Sequence, residues 1–350
     1  MLPISAQRPV SIASLRHRYL EPNFTAILPG VCQARCRFCI EPEGPPPPTL
    51  AYWLEQFEML MLRELPSLFR IVSISGGEPT LSAVFPNALD VLARAREAGR
   101  LHRVVLTTNG SPKSLIKNLG RIGRAVTHVN ISRHATDDDD NAKVFKTTKV
   151  PTTEELRDII SLLNRHGVLV NLNCVYSSEH LFGQRITRAP AERIRAEANR
   201  FISFARSVGA TSVVFRHDHR VWDDRPTSLE QAFDDYAVQH QARCASCRVI
   251  GKLIRGMPVN FKRSAFEPME HHLQSELYAL VLHSNGTLYR DWSRKQPIER
   301  PLPPMTVHEP FLSILESHVA SRPMITPPEC EDVEDTCGLM FRASSHESIE

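Results

Sequence analysis

The chain has 350 residues, of which 42% are hydrophobic and 23% are charged, enough for one large α/β domain with a smaller attachment. Its formal net charge of +3 gives no indication of a nucleic-acid partner, and none is expected. No run approaches the ~18 consecutive apolar residues of a membrane span. Residues 1–18 lack the apolar core of a signal peptide, so the expected location is cytoplasmic.

Short apolar runs alternate with helical patterns over the first two thirds of the chain. We predict strands at Phe24–Leu28, Ile71–Ser75, Arg103–Thr107, Val126–Ser132, Val168–Val175 and Ser212–Arg216. Each run is brief and rich in Val, Ile or Leu, as strands buried on both faces tend to be. Between them, Ser82–Ala98 and Ala191–Val208 have helical spacing, and Thr152 with Glu155 has the form of a capping box.

Six strand–helix units predict a parallel sheet with right-handed crossovers. Six units cannot close an eight-stranded barrel. The predicted fold class is therefore α/β, an open partial (β/α)6 TIM-type barrel over residues 21–218, preceded by a segment at 1–20. From 219 to 350 the pattern changes, and Ser284-Asn285-Gly286 is typical of a hairpin turn. We predict that residues 219–350 form a smaller α+β extension that caps the substrate site.

Three cysteines, Cys32, Cys36 and Cys39, lie within eight residues after the first predicted strand. Three thiolates can hold a [4Fe–4S] cluster and leave one iron without a protein ligand. Phe38, directly before the third cysteine, could shield one face of that cluster. On spacing alone the alternative is a zinc knuckle or a set of buried thiols. Structural zinc usually has four protein ligands, however, and no further His or Cys follows nearby.

The Cys-x3-Cys-x2-Cys spacing, with an aromatic residue before the last cysteine, resembles the radical S-adenosylmethionine (SAM) superfamily. The resemblance extends through Arg216. It implies that the three cysteines bind three irons and that the fourth iron binds the amino and carboxylate groups of SAM. It also implies reductive cleavage of SAM to methionine and a 5′-deoxyadenosyl radical, which removes a hydrogen atom from a substrate.

A second motif, Gly76-Gly77-Glu78-Pro79, follows the second predicted strand. Adjacent glycines permit positive φ angles and let backbone groups approach a ligand, while Glu78 offers an acceptor for an ammonium group. An ordinary strand-to-helix turn is the alternative. The segment resembles the family's GGEP motif, which implies a role in binding the amino group of SAM.

Further polar residues end the third and fourth predicted strands. Thr108 and Asn109 belong to a segment that resembles the family's TxNG motif, although a simple Asn-Gly turn is the alternative. Ser132 matches a family position that commonly contacts the ribose or carboxylate of SAM. Arg133 could pair with that carboxylate. For His134 a structural role is favoured over substrate contact.

The fifth and sixth predicted strands also carry polar residues. Asn171 and Asn173 share a face, so both can point into the barrel. The stretch from Asn173 resembles the N-x-V segment of the cyclase that starts molybdenum-cofactor synthesis. Arg216 ends the sixth strand, where a SAM or substrate carboxylate is the expected partner. The acidic run Asp137–Asp140 is expected to be a solvated loop.

The last third adds a further set of cysteines. Cys244 and Cys247 form a chelating pair, and Cys330 and Cys337 could complete a four-thiolate set for a second iron–sulfur cluster. SPASM and twitch relatives carry such auxiliary clusters, but their patterns place a cysteine beside the hairpin, and none follows Gly286 here. A zinc site or free thiols are the alternatives.

Residues 241–266 contain no acid and six basic residues: Arg243, Arg248, Lys252, Arg255, Lys262 and Arg263. We predict that this basic stretch forms an anion-recognition surface closing the open side of the barrel. It would bind a substrate phosphate or carboxylate, or an acidic electron donor of the flavodoxin or ferredoxin type. A solvated face is the alternative.

The predicted function is hydrogen abstraction from a small anionic metabolite, nucleotide- or sugar-like, in cofactor or natural-product biosynthesis. A ribosomal peptide is the alternative substrate, although peptide-modifying relatives often carry an N-terminal leader-binding domain and only about twenty residues precede the first strand. A non-enzymatic iron–sulfur or zinc-binding module is the alternative of another class. Such a module would need neither the GGEP-like segment nor polar residues at several strand ends.

Overall fold

A computed structural model of the chain shows an open mixed sheet of eleven strands with helices between its central strands. The structure describes residues 16–17, 23–39, 46–65, 69–177, 180–181, 184–185, 190–218, 227–243, 247–264, 276–277, 279–290, 292, 294, 297–298 and 300. None of the helices in these ranges has the length and apolar character needed to span a membrane.

Six parallel strands form the centre of the sheet, side by side in chain order. They are β1 Asn23–Leu28, β2 Ile71–Gly76, β3 Arg103–Thr108, β4 His128–Ser132, β5 Leu169–Tyr176 and β6 Ser212–His217. All six predicted strands are confirmed, with ends displaced by at most two residues. The predicted open partial (β/α)6 barrel is therefore confirmed.

The helices of the described ranges are α1 Leu50–Met59, α2 Phe85–Glu97, α3 Pro112–Lys117, α4 Leu119–Ala125, α5 Asp138–Phe145, α6 Thr153–Arg165, α7 Ala191–Ser207 and the short α8 Ser228–Gln231. A π-helical turn, Leu60–Glu64, continues α1, and a 3-10 turn, Pro79–Leu81, follows β2. At the start of α6, the predicted capping box is confirmed: Thr152 and Glu155 each accept a hydrogen bond from the other's backbone N–H.

The expectation of a loop at Asp137–Asp140 is wrong. Asp137 caps α5 by accepting a hydrogen bond from the backbone N–H of Asp140, and Asp138 to Asp140 occupy the first helical turn. Negative side chains are stabilised there because the unpaired N–H groups give the helix N-terminus a partial positive charge. The run of like charges is thus a helix start.

The described strands after residue 218 extend the same sheet at both edges. On one side β7 Val238–Arg243, β8 Cys247–Ile254 and β9 Met257–Ser264 form an antiparallel meander, and β9 lies parallel to β6. On the other side β10 Ala279–Leu282 lies parallel to β1, and β11 Leu288–Tyr289 completes the predicted hairpin. The domain boundary at 218 stays a prediction.

Side-chain alternation gives the sheet a helical side and an inner face. Phe215 of β6 packs against Phe201 of α7 with ring centroids 5.8 Å apart, so it lies on the helical side. Its register partner Phe261 of β9 lies there too. Because neighbouring residues of a strand point to opposite faces, Arg216 and Lys262 lie on the inner face.

A buried ion pair on the helical side ties α8 to β9. Arg263 donates to both carboxylate oxygens of Glu230, and the two side chains are 3% and 5% exposed. Glu230 also closes a capping box with Thr227 at the start of α8. Removing one buried charge leaves the other without its ion-pair partner in a low-dielectric environment, which is strongly destabilising.

We expect Arg263→Met to lower the free energy of unfolding by about 3–5 kcal/mol, because Glu230 would stay buried without its cation. Denaturant unfolding monitored by circular dichroism measures the change. The matched control is Arg157→Met on the exposed face of α6, where a change within about 0.5 kcal/mol is expected. A loss in Arg263→Met no larger than that of the control would contradict the stabilising role of the pair.

Candidate functional site

The site residues predicted from sequence gather where the six central strands end. The loop of residues 29–39, the cysteine loop, follows β1, and Gly76 ends β2. Thr108, Ser132 and Arg216 lie at or next to the ends of β3, β4 and β6. Parallel strands bring their carboxyl ends to one edge of the sheet, which is where barrels of this type form their sites.

The cysteine loop presents three free thiols: Cys39 is exposed, and Cys32 and Cys36 are partly buried. Burial raises the pKa of Cys36 to about 12, with added repulsion from Cys39 and Cys32. Burial also raises the pKa of Cys32, against the lowering effect of a hydrogen bond from the Ala34 N–H. Neighbouring thiols of this kind ionise together only beside a compensating cation, so the donor set suits a metal centre.

The number of cysteines on the loop matches a cluster that has three protein ligands. Within the described ranges, no three His, Cys, Asp or Glu side chains meet closely enough to hold one metal ion. A [4Fe–4S] cube binds its cysteines at separate corners, so its ligands need not converge on one point. Three cysteines within eight residues of one loop can occupy three corners of such a cube.

The buried carboxylate of Glu78 joins the end of β2 to the end of β3. Its Oε1 accepts hydrogen bonds from the N–H and hydroxyl of Thr80 at 3.1 and 2.7 Å and from the hydroxyl of Thr108 at 2.6 Å. Its Oε2 accepts the Asn109 N–H at 2.7 Å. Burial raises the pKa of Glu78, and these four bonds oppose the rise. Pro79 then begins the 3-10 turn.

Asn109 links this carboxylate to the cysteine loop. Its Nδ2 donates to the Cys32 sulfur at 3.8 Å, and its Oδ1 accepts from the side chain of Gln33 at 3.0 Å. Gln33 also donates to the carbonyl of Lys149 at 3.3 Å. Sequence reasoning missed Gln33, for which the only indication was its place beside the first cysteine. The loop, the Gly76-Gly77-Glu78 segment and the end of β3 thus form one hydrogen-bonded unit.

Both glycines of that segment are required by close approach. A Cβ on Gly77 would lie 3.1 Å from the backbone of Val31 and Cys32. Gly76 has a φ of 150°, and a Cβ there would lie 2.9 Å from the carbonyl oxygen of Leu28. A larger residue at Gly77 would press on the cysteine loop, and one at Gly76 would press on the end of β1.

Aromatic rings hold the other side of the cysteine loop. The Phe38 ring meets His134 edge-on with centroids 4.7 Å apart, and His134 lies 4.8 Å from Phe145 at the end of α5. The Arg35 N–H donates to the Phe145 carbonyl at 2.9 Å. These contacts give His134 the structural role that sequence reasoning favoured. Its contact with Phe38 was not foreseen.

His134 is held as a neutral ring. The Val175 N–H donates to its Nδ1 at 3.1 Å, so the ring proton is on Nε2. Burial, and to a lesser extent the charge of Arg133, lower the pKa of His134 to about 3. The ring therefore stays uncharged at neutral pH.

Arg133 is buried, and its partners lie inside the protein. Its guanidinium donates to the carbonyl oxygens of Ala135, Thr136 and Pro151 and to the Asp138 carboxylate at 2.6 Å. These bonds offset the cost that burial imposes on its charge. In place of the SAM carboxylate contact expected from sequence, we assign Arg133 a structural role in the connection between β4 and α5.

Amide side chains line the inner face of β4 and β5. Asn171 donates to Asn130 at 3.2 Å and accepts from the Ser212 hydroxyl of β6. One level nearer the strand ends, Asn173 lies in register with Ser132. Asn173 is buried, and its Oδ1 has no hydrogen-bond partner among the described residues. A buried acceptor without a partner is a place where a ligand donor fits.

Arg216 is the cation of the inner face. It is partly buried and makes no hydrogen bond or ion pair with the described residues. Burial lowers the pKa of Arg216. The neighbouring strands place Val175 and Lys262 in register with it.

The basic stretch does not form one surface, which corrects the sequence expectation. Strand alternation divides it: Lys262 lies on the inner face, while Arg263 and Lys252 lie on the helical side. Arg263 pairs with Glu230, and Lys252 donates to the Phe233 carbonyl at 2.7 Å.

Two remaining sequence predictions concern the last third. Arg255 has a φ of 53° and stands in the turn between β8 and β9. Cys244, Cys330 and Cys337 lie outside the described residues, and of Cys247 only the backbone is described, at the start of β8. The second metal site therefore stays a prediction.

We expect the pH dependence of stability to reveal the neutral His134. Its folded pKa of about 3 lies below the ordinary 6.5, so the unfolded chain takes up the proton first. The stabilisation is complete above pH 6.5 and is lost as the pH falls towards 3. Relative to His134→Gln, the wild type should lose up to about 1.4 kcal/mol per pH unit in this window.

Denaturant unfolding of both proteins between about pH 7 and pH 5 tests this expectation. His166→Gln, at the exposed end of α6, is the control and should follow the wild type. Identical pH slopes for the wild type and His134→Gln would contradict the assignment.

Comparison with known proteins identifies the family and supports the fold. The profile of the radical SAM superfamily matches residues 27–201, which is 175 of the 350 residues. No significant match to a curated protein was found.

Among solved structures, SuiB of Streptococcus suis bound to its precursor peptide SuiA superposes with a TM-score of 0.51 and 14% identity, over 78% of this chain and 60% of SuiB. SuiB bound to S-adenosylmethionine gives 0.50 and 15%, over 78% of this chain and 58% of SuiB. The radical SAM methyltransferase TsrM of Kitasatospora setae, with cobalamin and a [4Fe–4S] cluster bound, gives 0.38 and 20%, over 55% and 36%.

At these identities the likeness to SuiB supports the fold alone, and the match to TsrM is too low to add to it. This chain spans about 60% of the length of SuiB. Since the family profile covers half of the chain, the chain belongs to the radical SAM superfamily of enzymes, and its cofactors are SAM and a [4Fe–4S] cluster.

Proposed function

We propose that this chain binds SAM at a [4Fe–4S] cluster held by Cys32, Cys36 and Cys39 and removes a hydrogen atom from a small anionic metabolite. When bound, the cluster supplies the electron that cleaves SAM to methionine and a 5′-deoxyadenosyl radical. The observation that carries the proposal is the position of Asn109, which hydrogen-bonds both to the cysteine loop and to Glu78. It joins three motifs of the family in one unit.

The chain's own residues orient and shield the reacting groups. Phe38, held by the His134 ring, covers one side of the cysteine loop. Oε2 of Glu78 accepts a single hydrogen bond and keeps a lone pair for a further donor, such as an ammonium group. Ser132 and Asn173 share the inner face, and the free Oδ1 of Asn173 suits a ribose hydroxyl donor.

Two features bear on the substrate. Arg216, a cation on the inner face without an ion pair in the described part of the chain, favours an anionic metabolite. A ribosomal peptide is the second candidate, since SuiB has been captured with its precursor peptide. β7 is an edge strand, and an extended peptide can pair with such an edge. A non-enzymatic iron–sulfur carrier would have no use for the free acceptor on Asn173.

An electron donor of the flavodoxin or ferredoxin type fits the exposure of the cysteine loop. Val31 is 76% exposed and Cys39 is also exposed, so a protein donor can approach the loop from outside. Such an approach would bring the electron donor close to the cluster, and electron transfer between the two requires a short distance.

We expect joint replacement of Cys32, Cys36 and Cys39 by Ala to abolish the [4Fe–4S] EPR signal and its shift on addition of SAM. Formation of 5′-deoxyadenosine under dithionite should be lost as well, because no thiolate remains to hold the irons. Cys174→Ala is the control, since this buried thiol in β5 lies apart from the loop. A SAM-sensitive EPR signal in the triple variant would show that other residues hold the cluster.

We expect Gly77→Ala to weaken cluster assembly, because its methyl group would press on the Cys32 backbone at 3.1 Å. The iron content after anaerobic reconstitution should fall several-fold. Gly120→Ala in α4 is the matched control and should keep the wild-type iron content, because a Cβ at this position meets no atom within 4 Å. Equal iron content in the two variants would mean that the loop tolerates the displacement.

A further inference from the structure

Four side chains on the inner face of β6, β7 and β9 lie together outside the residues assigned to the cofactors. Arg216 of β6 and Lys262 of β9 are register partners on adjacent strands. Asn260 lies two residues before Lys262 in β9, on the same face of the sheet. Gly251 of β8 is the register partner of both Asn260 and His240 of β7, so these two residues lie on either side of it. The first belongs to the central barrel and the other three to the strands after residue 218.

Arg216 is a partly buried cation on the inner face, with no ion-pair partner among the described residues. Neighbouring Phe215 packs on the helical side, which directs Arg216 to the inner face. It forms no hydrogen bond or ion pair in the described part of the chain. A cation withdrawn from water without a partner is costly, and an anionic ligand would remove that cost.

Lys262 strengthens the positive character of this position. Its strand lies beside β6 at the usual spacing of about 4.8 Å, and its side chain is on the same face as Arg216. Two like charges placed side by side repel each other, and an anion between them converts the repulsion into attraction. Glu230 of α8 lies on the helical side of β9, where it is paired with Arg263.

The residues next to the two cations on the inner face, Asn260 and His240, are polar. Asn260 is buried, and a Cβ on Gly251 would overlap the His240 ring. Only glycine therefore lets His240 lie across β8 towards Asn260. Burial lowers the pKa of His240, and the neighbouring Asn260 amide opposes the change. The neutral ring and the amide offer hydrogen bonds to the oxygen atoms of a bound group without adding negative charge.

We propose that Arg216 and Lys262, above Asn260 and His240, form an inner-face site for the anionic oxygen group, phosphate or carboxylate, of the substrate. This inference rests on the proposed function, since it places a substrate beside the cofactor site. It also gives the strands after residue 218 a role, because three of the four side chains come from them. The rival occupant of the site is the carboxylate of SAM itself.

The test measures binding of inorganic phosphate and of acetate by isothermal titration calorimetry to the iron-loaded holoenzyme, with SAM absent and with SAM saturating. We expect one site per chain for at least one of the two anions, with equal affinity in both conditions. Arg216→Met and, independently, Lys262→Met should each weaken that binding at least tenfold. The control, Arg157→Met on the exposed face of α6, should bind as the wild type does.

Three results would overturn the inference: no saturable binding of either anion, binding unaffected by both replacements, or loss of anion binding when SAM is saturating. The last result would give the site to SAM. Production of 5′-deoxyadenosine by the same wild-type samples separates this inference from the proposed function. Samples that produce it but bind no anion overturn only the anion site, and samples that never produce it overturn the proposed function.

Discussion

The buried carboxylate of Glu78 is the interaction on which the rest of the site depends. A carboxylate out of contact with water is tolerated only when hydrogen-bond donors surround it. Thr80, Thr108 and Asn109 supply four such bonds and therefore must stay where they are. Through Asn109 the same constraint reaches Cys32, so a charge buried under the end of β2 fixes the position of a cysteine on another loop.

The cysteine loop is held from two sides by different forces. On one side polar contacts dominate, and the two glycines allow the approach that these contacts need. On the other side the rings of Phe38, His134 and Phe145 pack together, and the neutral state of His134 makes that packing independent of charge. A loop anchored in this way can carry three thiols without a disulfide bond.

The strands after residue 218 change the chemistry of the inner face. They widen the sheet beyond the six central strands and add Asn260 and Lys262 beside Arg216. On the helical side of the same strands, Arg263 forms a buried ion pair with Glu230. Alternation of side chains thus places charges that are adjacent in sequence, such as Lys262 and Arg263, on opposite faces of the sheet.

The sequence by itself determined the six central strands, the capping box at Thr152, the hairpin at Gly286 and the cysteine, GGEP-like and TxNG-like motifs. These features depend on periodicity and spacing within a few residues. Only the tertiary structure decided the partners of Glu78 and Arg133, the contact of Gln33 with Asn109 across 76 positions, and the division of the basic stretch. These depend on which strands are neighbours and in what register, and local pattern does not specify pairing between distant segments.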